Sequence, residues 1–272
     1  METKITVVVD NIPDSGIKGE WGLSILAEYN GKKILLDAGG SNLFLKNLES
    51  LGIDVKDIDY ATLSHAHSDH AGGLPGFLDK NKKAELYLRE STAADCYMKF
   101  LFIRCYVGIP KTFLSDYSDR IRMVSGDYQL MEGVYLIPHK TKNLETLGKR
   151  DKMLRRTQNG WRSDDFSHEQ SLVLDTEKGL VIINSCSHGG AANIINEVKK
   201  TFPEKKVYGL IGGFHLFNKS KSEIHELAEK IRETGIEYVC TGHCTKNRAY
   251  KILKEELGDM VQQMRVGYEI MF

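Results

Sequence analysis

Thr62-Leu63-Ser64-His65-Ala66-His67-Ser68-Asp69-His70-Ala71-Gly72-Gly73 is the stretch on which the reading of this chain turns. It follows Tyr60 and Ala61 in a short apolar run that predicts a buried strand, Tyr60 to Ser64, and it places three imidazoles and a carboxylate within six residues of that strand's C-terminal end. Loops at that end of α/β strands gather ligands. Alternate residues of an extended segment face the same way, so His65 and His67 can share one metal ion. Asp69 and His70 fall where the chain turns toward a helix, and their side chains diverge from the first pair toward a second ion. Neutral imidazole with carboxylate suits zinc, the expected cofactor as one or two ions, and is compatible with iron or manganese.

Outward from this cluster the chain alternates strands and helices. Ile5 to Val9, Leu23 to Tyr29 and Lys33 to Asp37 read as strands, and Asn30-Gly31 predicts a tight hairpin between the last two. Ser41 can cap a helix carrying Leu43, Phe44, Leu48 and Leu51 at helical spacing, which Gly52 would end. In the second half, Ser171 to Asp175 and Leu180 to Asn184 flank a turn at Thr176 to Gly179. Val207 to Ile211 and Tyr238 to Thr241 are short buried-type strands, with helical periodicity from Ser222 to Thr234 between them. The stretch from about 90 to 165 is less regular, apart from a strand at Val134 to Ile137, and reads as an insertion in a single domain spanning 1–272. Its polar end holds Lys140, Lys142, Lys149, Arg150, Lys152, Arg155, Arg156 and Arg162 against Glu145, Asp151, Asp164 and Asp165. That is either a solvated loop or an anion-binding lid.

Two metals require more than four ligands. His188 in NSCSHGG, His215 in GGFHL and His243 in CTGHCT each follow an expected strand beside glycine, which lets a ligand approach the backbone closely. His168 in FSHEQSL precedes a strand and is a candidate to replace one of them, as is His215. His139 and His225 read as structural or surface residues, and Cys240 and Cys244 as structural cysteines without a second pair for a zinc site.

Composition bounds the rest. Apolar residues make up 41% and charged residues 27%, values of an ordinary globular protein. Lys plus Arg equals Asp plus Glu at 37 each, which argues against a dedicated nucleic-acid or membrane-surface binder. Five cysteines in a chain of 272 residues make a disulfide framework unexpected. The N-terminal residues lack the pattern of a signal peptide and no apolar run approaches a membrane span, so a cytoplasmic location is expected.

The motif H-x-H-x-D-H after a strand, preceded by Leu35-Leu36-Asp37-Ala38-Gly39, resembles the metallo-β-lactamase superfamily. The resemblance covers nearly the whole chain and implies an α/β fold, a four-layer αββα sandwich of two βα halves with metals at one edge of the sheets. Trp21-Gly22-Leu23-Ser24, Ser185-Cys186-Ser187-His188, Gly212-Gly213-Phe214-His215-Leu216 and Gly242-His243-Cys244-Thr245 are similar to the branch that contains the dihydropterin–ribofuranosylaminobenzene phosphate synthases of methanopterin biosynthesis. The chain departs from the superfamily's commonest pattern, in which an Asp after a second-half strand bridges the metals. Cys186 or Ser185 stands roughly there, so either His188 substitutes for a usual ligand or the second metal is weakly held or absent.

The assignment that follows gives His65, His67 and His188 to one ion and Asp69, His70 and His243 to the other. Asp37 would orient a ligand imidazole, Asp69 would also orient water, and His215 would donate a proton to a leaving group. The expected activity is metal-dependent hydrolysis of a small, anionic or phosphate-bearing substrate by activated water. The alternatives are a synthase-like transferase and a non-catalytic metal or redox protein. In the synthase reading, Arg155 and Arg156 hold phosphate and Trp161 or Tyr106 stacks on a ring.

Overall fold

Asn30 and Gly31 hold φ of 49° and 73°, as a two-residue hairpin turn demands, and they join Ser24–Tyr29 to Lys32–Leu36 as antiparallel partners with Tyr29 opposite Lys32. Thr3–Val9 pairs with the far edge of Ser24–Tyr29 and with Glu269–Met271. Tyr60–Thr62, Glu85–Arg89 and Ile121–Val124 extend the other edge in parallel, giving a seven-stranded sheet. The structure is a computed structural model and describes residues 3–14 and 16–272.

The second sheet is built on the expected hairpin of Gln170–Thr176 and Gly179–Ile183, with Thr176 opposite Gly179. Val207–Gly212, Tyr238–Thr241 and Val261–Gln263 follow in parallel on one side. Val134–Pro138 and Tyr128–Met131 close the other side.

Neighbours in sequence divide between layers, as a period of two requires. Val7, Leu36, Leu174 and Ile183 meet between the sheets. Val8 and Leu35 face outward beneath Phe44, Leu48 and Phe77, whereas Val173 and Ile182 lie beneath Ile194, Ile195, Ile224 and Leu253. The layers are therefore helix, sheet, sheet, helix. At the helix ends Gly52 stands as expected, but the N-cap of Leu43–Ser50 is Asn42 rather than Ser41 and makes no side-chain cap bond. Ser41 Oγ accepts from the Leu43 amide ahead of Leu43–Ser50, and Gly52 past its end has φ of 73°. Ser220 and Glu223 form a reciprocal cap for Lys221–Thr234, which Gly235 ends in the left-handed region.

The stretch from about 90 to 165 is divided among three sheets. Ile121–Val124 completes the first and residues 128–138 complete the second. The remainder, Cys96–Phe100, Ile103–Tyr106, Met153–Thr157 and Gly160–Ser163, forms a separate antiparallel sheet in which Leu154 stands opposite Tyr97. Among the described residues, no helix is long and apolar enough to cross a membrane.

Candidate metal centre

The strand at Tyr60–Thr62 stops two residues short of the expected Ser64, and the chain leaves the sheet into the His cluster. His67 is extended and precedes a one-turn helix, Ser68–Ala71, that carries Asp69 and His70. Asp37, wholly buried, organises both sides of the turn. Its Oδ1 accepts from the Ser64 amide at 2.7 Å, and its Oδ2 accepts from Ser64 Oγ at 2.6 Å and from His70 Nδ1 at 2.8 Å. Because the Ser64 hydroxyl proton is committed to the carboxylate, His65 Nδ1, 2.8 Å from that hydroxyl, must be the donor to it. Both rings thereby carry a proton on Nδ1; Nε2 of His65 is left without a partner, whereas Nε2 of His70 lies 3.2 Å from the Cys186 sulfur. Opposite, His168 Nδ1 accepts from the Ala66 amide at 3.1 Å and Nε2 faces Asp164 Oδ2 at 3.1 Å, so the ring grips the backbone between His65 and His67.

The second half supplies imidazoles from three separate strand ends. Ser187, beside His188, and His215 and His243 themselves have φ of 44°, 50° and 47°, a conformation that costs energy for residues with a Cβ and gathers at functional sites. Asn184 Oδ1 accepts from the Ser187 amide at 2.7 Å and holds the turn before His188. His243 is held by residues with no motif of their own. Asp10 Oδ2 accepts from its amide at 2.8 Å, Asn11 Oδ1 lies 3.1 Å from its Nδ1, and Asn11 Nδ2 donates to its carbonyl at 3.1 Å. Burial raises the Asp10 carboxyl to about 6. Gly22 packs so tightly on the turn that a Cβ there would lie 2.6 Å from the Asp69 carbonyl oxygen.

These pieces converge. His65, His67 and His188 bring one donor nitrogen each within 4.8 Å of one another, and His65 Nε2, His67 Nε2 and both His188 nitrogens are buried without a hydrogen-bond partner. Beside them Asp69 Oδ2 lies 3.7 Å from His70 Nε2 and 3.5 Å from His243 Nε2. Burial, reinforced by neighbouring imidazoles, pushes His65 and His188 well below the usual histidine range and His67 down to about 3, so all three are neutral, as metal ligands must be. Burial opposes ionisation of Asp69, yet His70 and His243 hold its carboxyl well below the ordinary range. Burial would likewise strip His70 of its charge, but Asp69 and the bond with Asp37 outweigh it and raise the ring to about 9. Unpartnered buried nitrogens cost about 1–3 kcal/mol each. A cation among His65, His67 and His188 would satisfy theirs, and one beside Asp69 would satisfy His243 Nε2 and take the place of the proton that Asp69 favours on His70, so the residues fit two metal ions.

Exposed rings stand at the mouth. Trp21, 45% exposed, lies 4.9 Å from the His243 ring with the Lys246 ammonium 4.1 Å over it. Phe217, 43% exposed, lies edge-on to Trp21 at 6.1 Å and 5.0 Å from His215. A cavity of about 180 Å³ opens beside His188 and His215 and is also lined by Arg150, Asp151, Phe214 and Lys219.

Comparison with known proteins agrees with this geometry. The metallo-beta-lactamase superfamily profile matches residues 22–97. The 7,8-dihydropterin-6-methyl-4-(beta-D-ribofuranosyl)-aminobenzene-5'-phosphate synthase of Methanocaldococcus jannaschii is 31% identical over 271 residues, covering 92% of this chain and 90% of the relative. The chain belongs to the metallo-β-lactamase superfamily. Tm1679, described as a metal-dependent hydrolase of the β-lactamase superfamily, has a crystal structure that matches over 98% of both chains with a TM-score of 0.85 and 30% identity. Short-form human tRNase Z matches at a TM-score of 0.55 with 13% identity, a likeness of fold alone. Membership of the superfamily implies bound metal ions, typically zinc.

Other expected residues are held outside the two donor groups. Arg155, expected to hold a substrate phosphate, is 3% exposed. Its guanidinium donates to both Asp95 carboxylate oxygens at 3.0 Å, to Ser167 Oγ at 3.2 Å and to the Ser91 carbonyl at 2.8 Å. Burial and these bonds from all three of its nitrogens hold the guanidinium inside the protein, so Arg155 is corrected to a structural residue. Arg156 and Arg104 flank the Trp161 ring at 5.1 and 4.6 Å on the separate four-stranded sheet. Tyr106 is turned inward, donating to the Ile109 carbonyl. The basic stretch is thus a helix, Glu145–Arg150, and a hairpin rather than a loop. His168, the alternative ligand, spends both nitrogens on Ala66 and Asp164. His139 is bound between Glu169 and Glu197 at 3.0 Å each, and His225 pairs with Glu256 at 2.8 Å. Cys240 lies in the core between the sheets. Asp10, Asn11 and Phe217 had no assigned role in the sequence. For Asp10 and Asn11 a signal existed, since they follow an apolar strand at its C-terminal end, as the histidines do.

Proposed function

We propose that the protein is a metal-dependent hydrolase of small anionic substrates, with His65, His67 and His188 holding one divalent cation and Asp69, His70 and His243 holding a second. The observation that carries this reading is the convergence of unpartnered, buried, neutral imidazole nitrogens at the ends of strands from both sheets. Cations bound there would supply Lewis acidity and lower the pKa of water toward neutrality. Zinc fits the donors best, and iron and manganese remain compatible.

The remaining work falls to this chain's side chains. Asp37 fixes the proton positions of His65 and His70, and Asn11 turns His243 toward Asp69. Asp69 is the single anionic donor among the six, so the loaded site attracts a negatively charged group. His215 Nδ1 is buried without a partner, on a ring that is only half-buried beside the cavity, and is placed to pass a proton to a leaving group. Trp21 and Phe217 offer apolar surface to the body of the substrate. The test is metal analysis of the purified protein followed by turnover of phosphate and diphosphate esters with and without a chelator. Hydrolysis that is lost on chelation and restored by zinc supports the reading. A protein that binds no metal overturns it.

A second reading is favoured by one observation, the 31% identity along 92% of the chain to a named synthase. In that reading the same side chains bind a pterin diphosphate for condensation with an aminobenzene ribose phosphate, and the rings at the mouth stack on the substrate. Offering that pair to the metal-loaded protein discriminates the two. Formation of the condensed product selects the synthase, and release of phosphate or diphosphate without coupling selects the hydrolase.

A further inference from the structure

We propose that Cys186 is a metal ligand shared between the two centres, an inference that rests on the two-metal reading above. Its sulfur lies 3.2 Å from His70 Nε2. Its possible donor groups reach both triads, since within 4.8 Å it joins His65 and His70, joins His188 and His215, and joins His243 and Cys244. Such a position between two sets of donors is where a bridging ligand stands.

The backbone holds the sulfur there. Asn184 donates from Nδ2 to Ser171 Oγ at 3.0 Å and accepts the Ser187 amide, while the Ser185 carbonyl accepts the Gly213 amide at 2.8 Å. Cys186 is 3% exposed, so water does not compete for it. Cys244 completes the arrangement. Its sulfur accepts from the His215 amide at 3.1 Å and from the Cys186 thiol at 3.3 Å, and its own thiol faces the Cys186 carbonyl at 4.0 Å, so the two sulfurs hold each other in place. A Cβ at Gly213 would come within 2.5 Å of the Cys244 sulfur, so that position must be glycine for the pair to keep its place.

The chemistry gives Cys186 a purpose. Two divalent cations bring four positive charges against the one negative charge of Asp69, and a thiolate supplies a second. On binding, the thiol proton leaves to solvent as the sulfur–metal bond forms. A soft sulfur donor also selects zinc, iron or cobalt over magnesium and calcium.

The test reads a sulfur–metal bond directly. The protein is stripped with a chelator, reloaded with cobalt(II), and examined for near-ultraviolet thiolate-to-cobalt charge transfer, with bound cobalt counted separately. The band is expected in the unaltered protein, in Cys244→Ser and in Cys96→Ser, whose sulfur lies 3.6 Å from His168. It is expected to fall to background in Cys186→Ser and Cys186→Asp. Cys186→Asp, which keeps an anionic donor, should still bind both ions and retain the visible cobalt bands, so loss of the ultraviolet band cannot be misread as unfolding. Two bound ions without the band in the unaltered protein overturn the assignment and leave the two-metal reading intact. A band that survives Cys186→Ser and disappears with Cys244→Ser or Cys96→Ser assigns another sulfur and also overturns it. Failure of the unaltered protein to bind cobalt overturns both.

Discussion

The two halves of the site are built by different means. In the first half, His65, His67, Asp69 and His70 come from one turn, and Asp37, at the end of the adjacent strand, fixes two of the rings through Ser64 and directly. In the second half His188, His215 and His243 come from three strand ends, and their supports are distant in sequence. Asp10 and Asn11 reach His243 across more than 230 residues. Near His188, the Glu169 carboxylate accepts the Gly189 amide at 3.1 Å and pairs with His139. A local motif carries its own scaffold, whereas a dispersed one borrows its scaffold from the whole fold.

The largest expected effect tests the first half. His67→Ala should lose one of the two ions by metal analysis, and turnover should fall by more than the roughly 10- to 100-fold that loss of an outer hydrogen-bond partner costs. Full metal content in that variant breaks the comparison at its root.

Next comes the borrowed scaffold. Removing His139 leaves Glu169 and Glu197 buried without their shared partner, and denaturant unfolding of His139→Ala should show a loss of about 3–5 kcal/mol. Burial works against the His139 charge, yet Glu169 and Glu197 raise it from 6.5 to about 10. A raised value stabilises the fold fully below the unfolded value of 6.5 and is lost as pH climbs through 10. The stability gap between the unaltered protein and His139→Gln should therefore narrow from pH 6.5 upward. A gap that widens contradicts the charged pairing.

A smaller effect sharpens the contrast. Asp37→Ala should weaken both ions about 10- to 100-fold, and Asn11→Ala should weaken one of them by a similar factor and spare the other. Metal titration that finds both ions equally weakened by Asn11→Ala would show the halves to be one unit. Smallest of all is Arg156→Ala, which should change stability by no more than about 0.5 kcal/mol. Arg155→Ala, which strands the Asp95 carboxylate, should cost about 3 kcal/mol.

This contrast also explains what could be read from the sequence. The Asn30-Gly31 and Thr176 to Gly179 turns, the helical periodicity from Ser222 to Thr234 and the cluster at His65 to His70 are local, and each was legible from neighbouring residues. The division of residues 90 to 165 was not. Leu154 finds Tyr97 in the separate sheet, and Ile121–Val124 joins the first sheet, through contacts that no periodicity records. Arg155 looked like part of an exposed basic run because the residues that consume its donors, Ser91, Asp95 and Ser167, lie 12 to 64 positions away. Histidines at strand ends could be recognised as candidates, but the support of His243 by Asp10 and Asn11 appears only once the two sheets stack and bring the end of the first strand against the turn after Tyr238–Thr241.

Trp21 at the mouth has one more consequence. The chain has two tryptophans, Trp21 and Trp161. A Trp161→Phe variant therefore contains a single indole, already in contact with the His243 ring and under the Lys246 ammonium. Its emission colour and intensity would respond to any ion drawn in at His243 or any ring settling over the mouth, so the molecule carries its own optical gauge of occupancy.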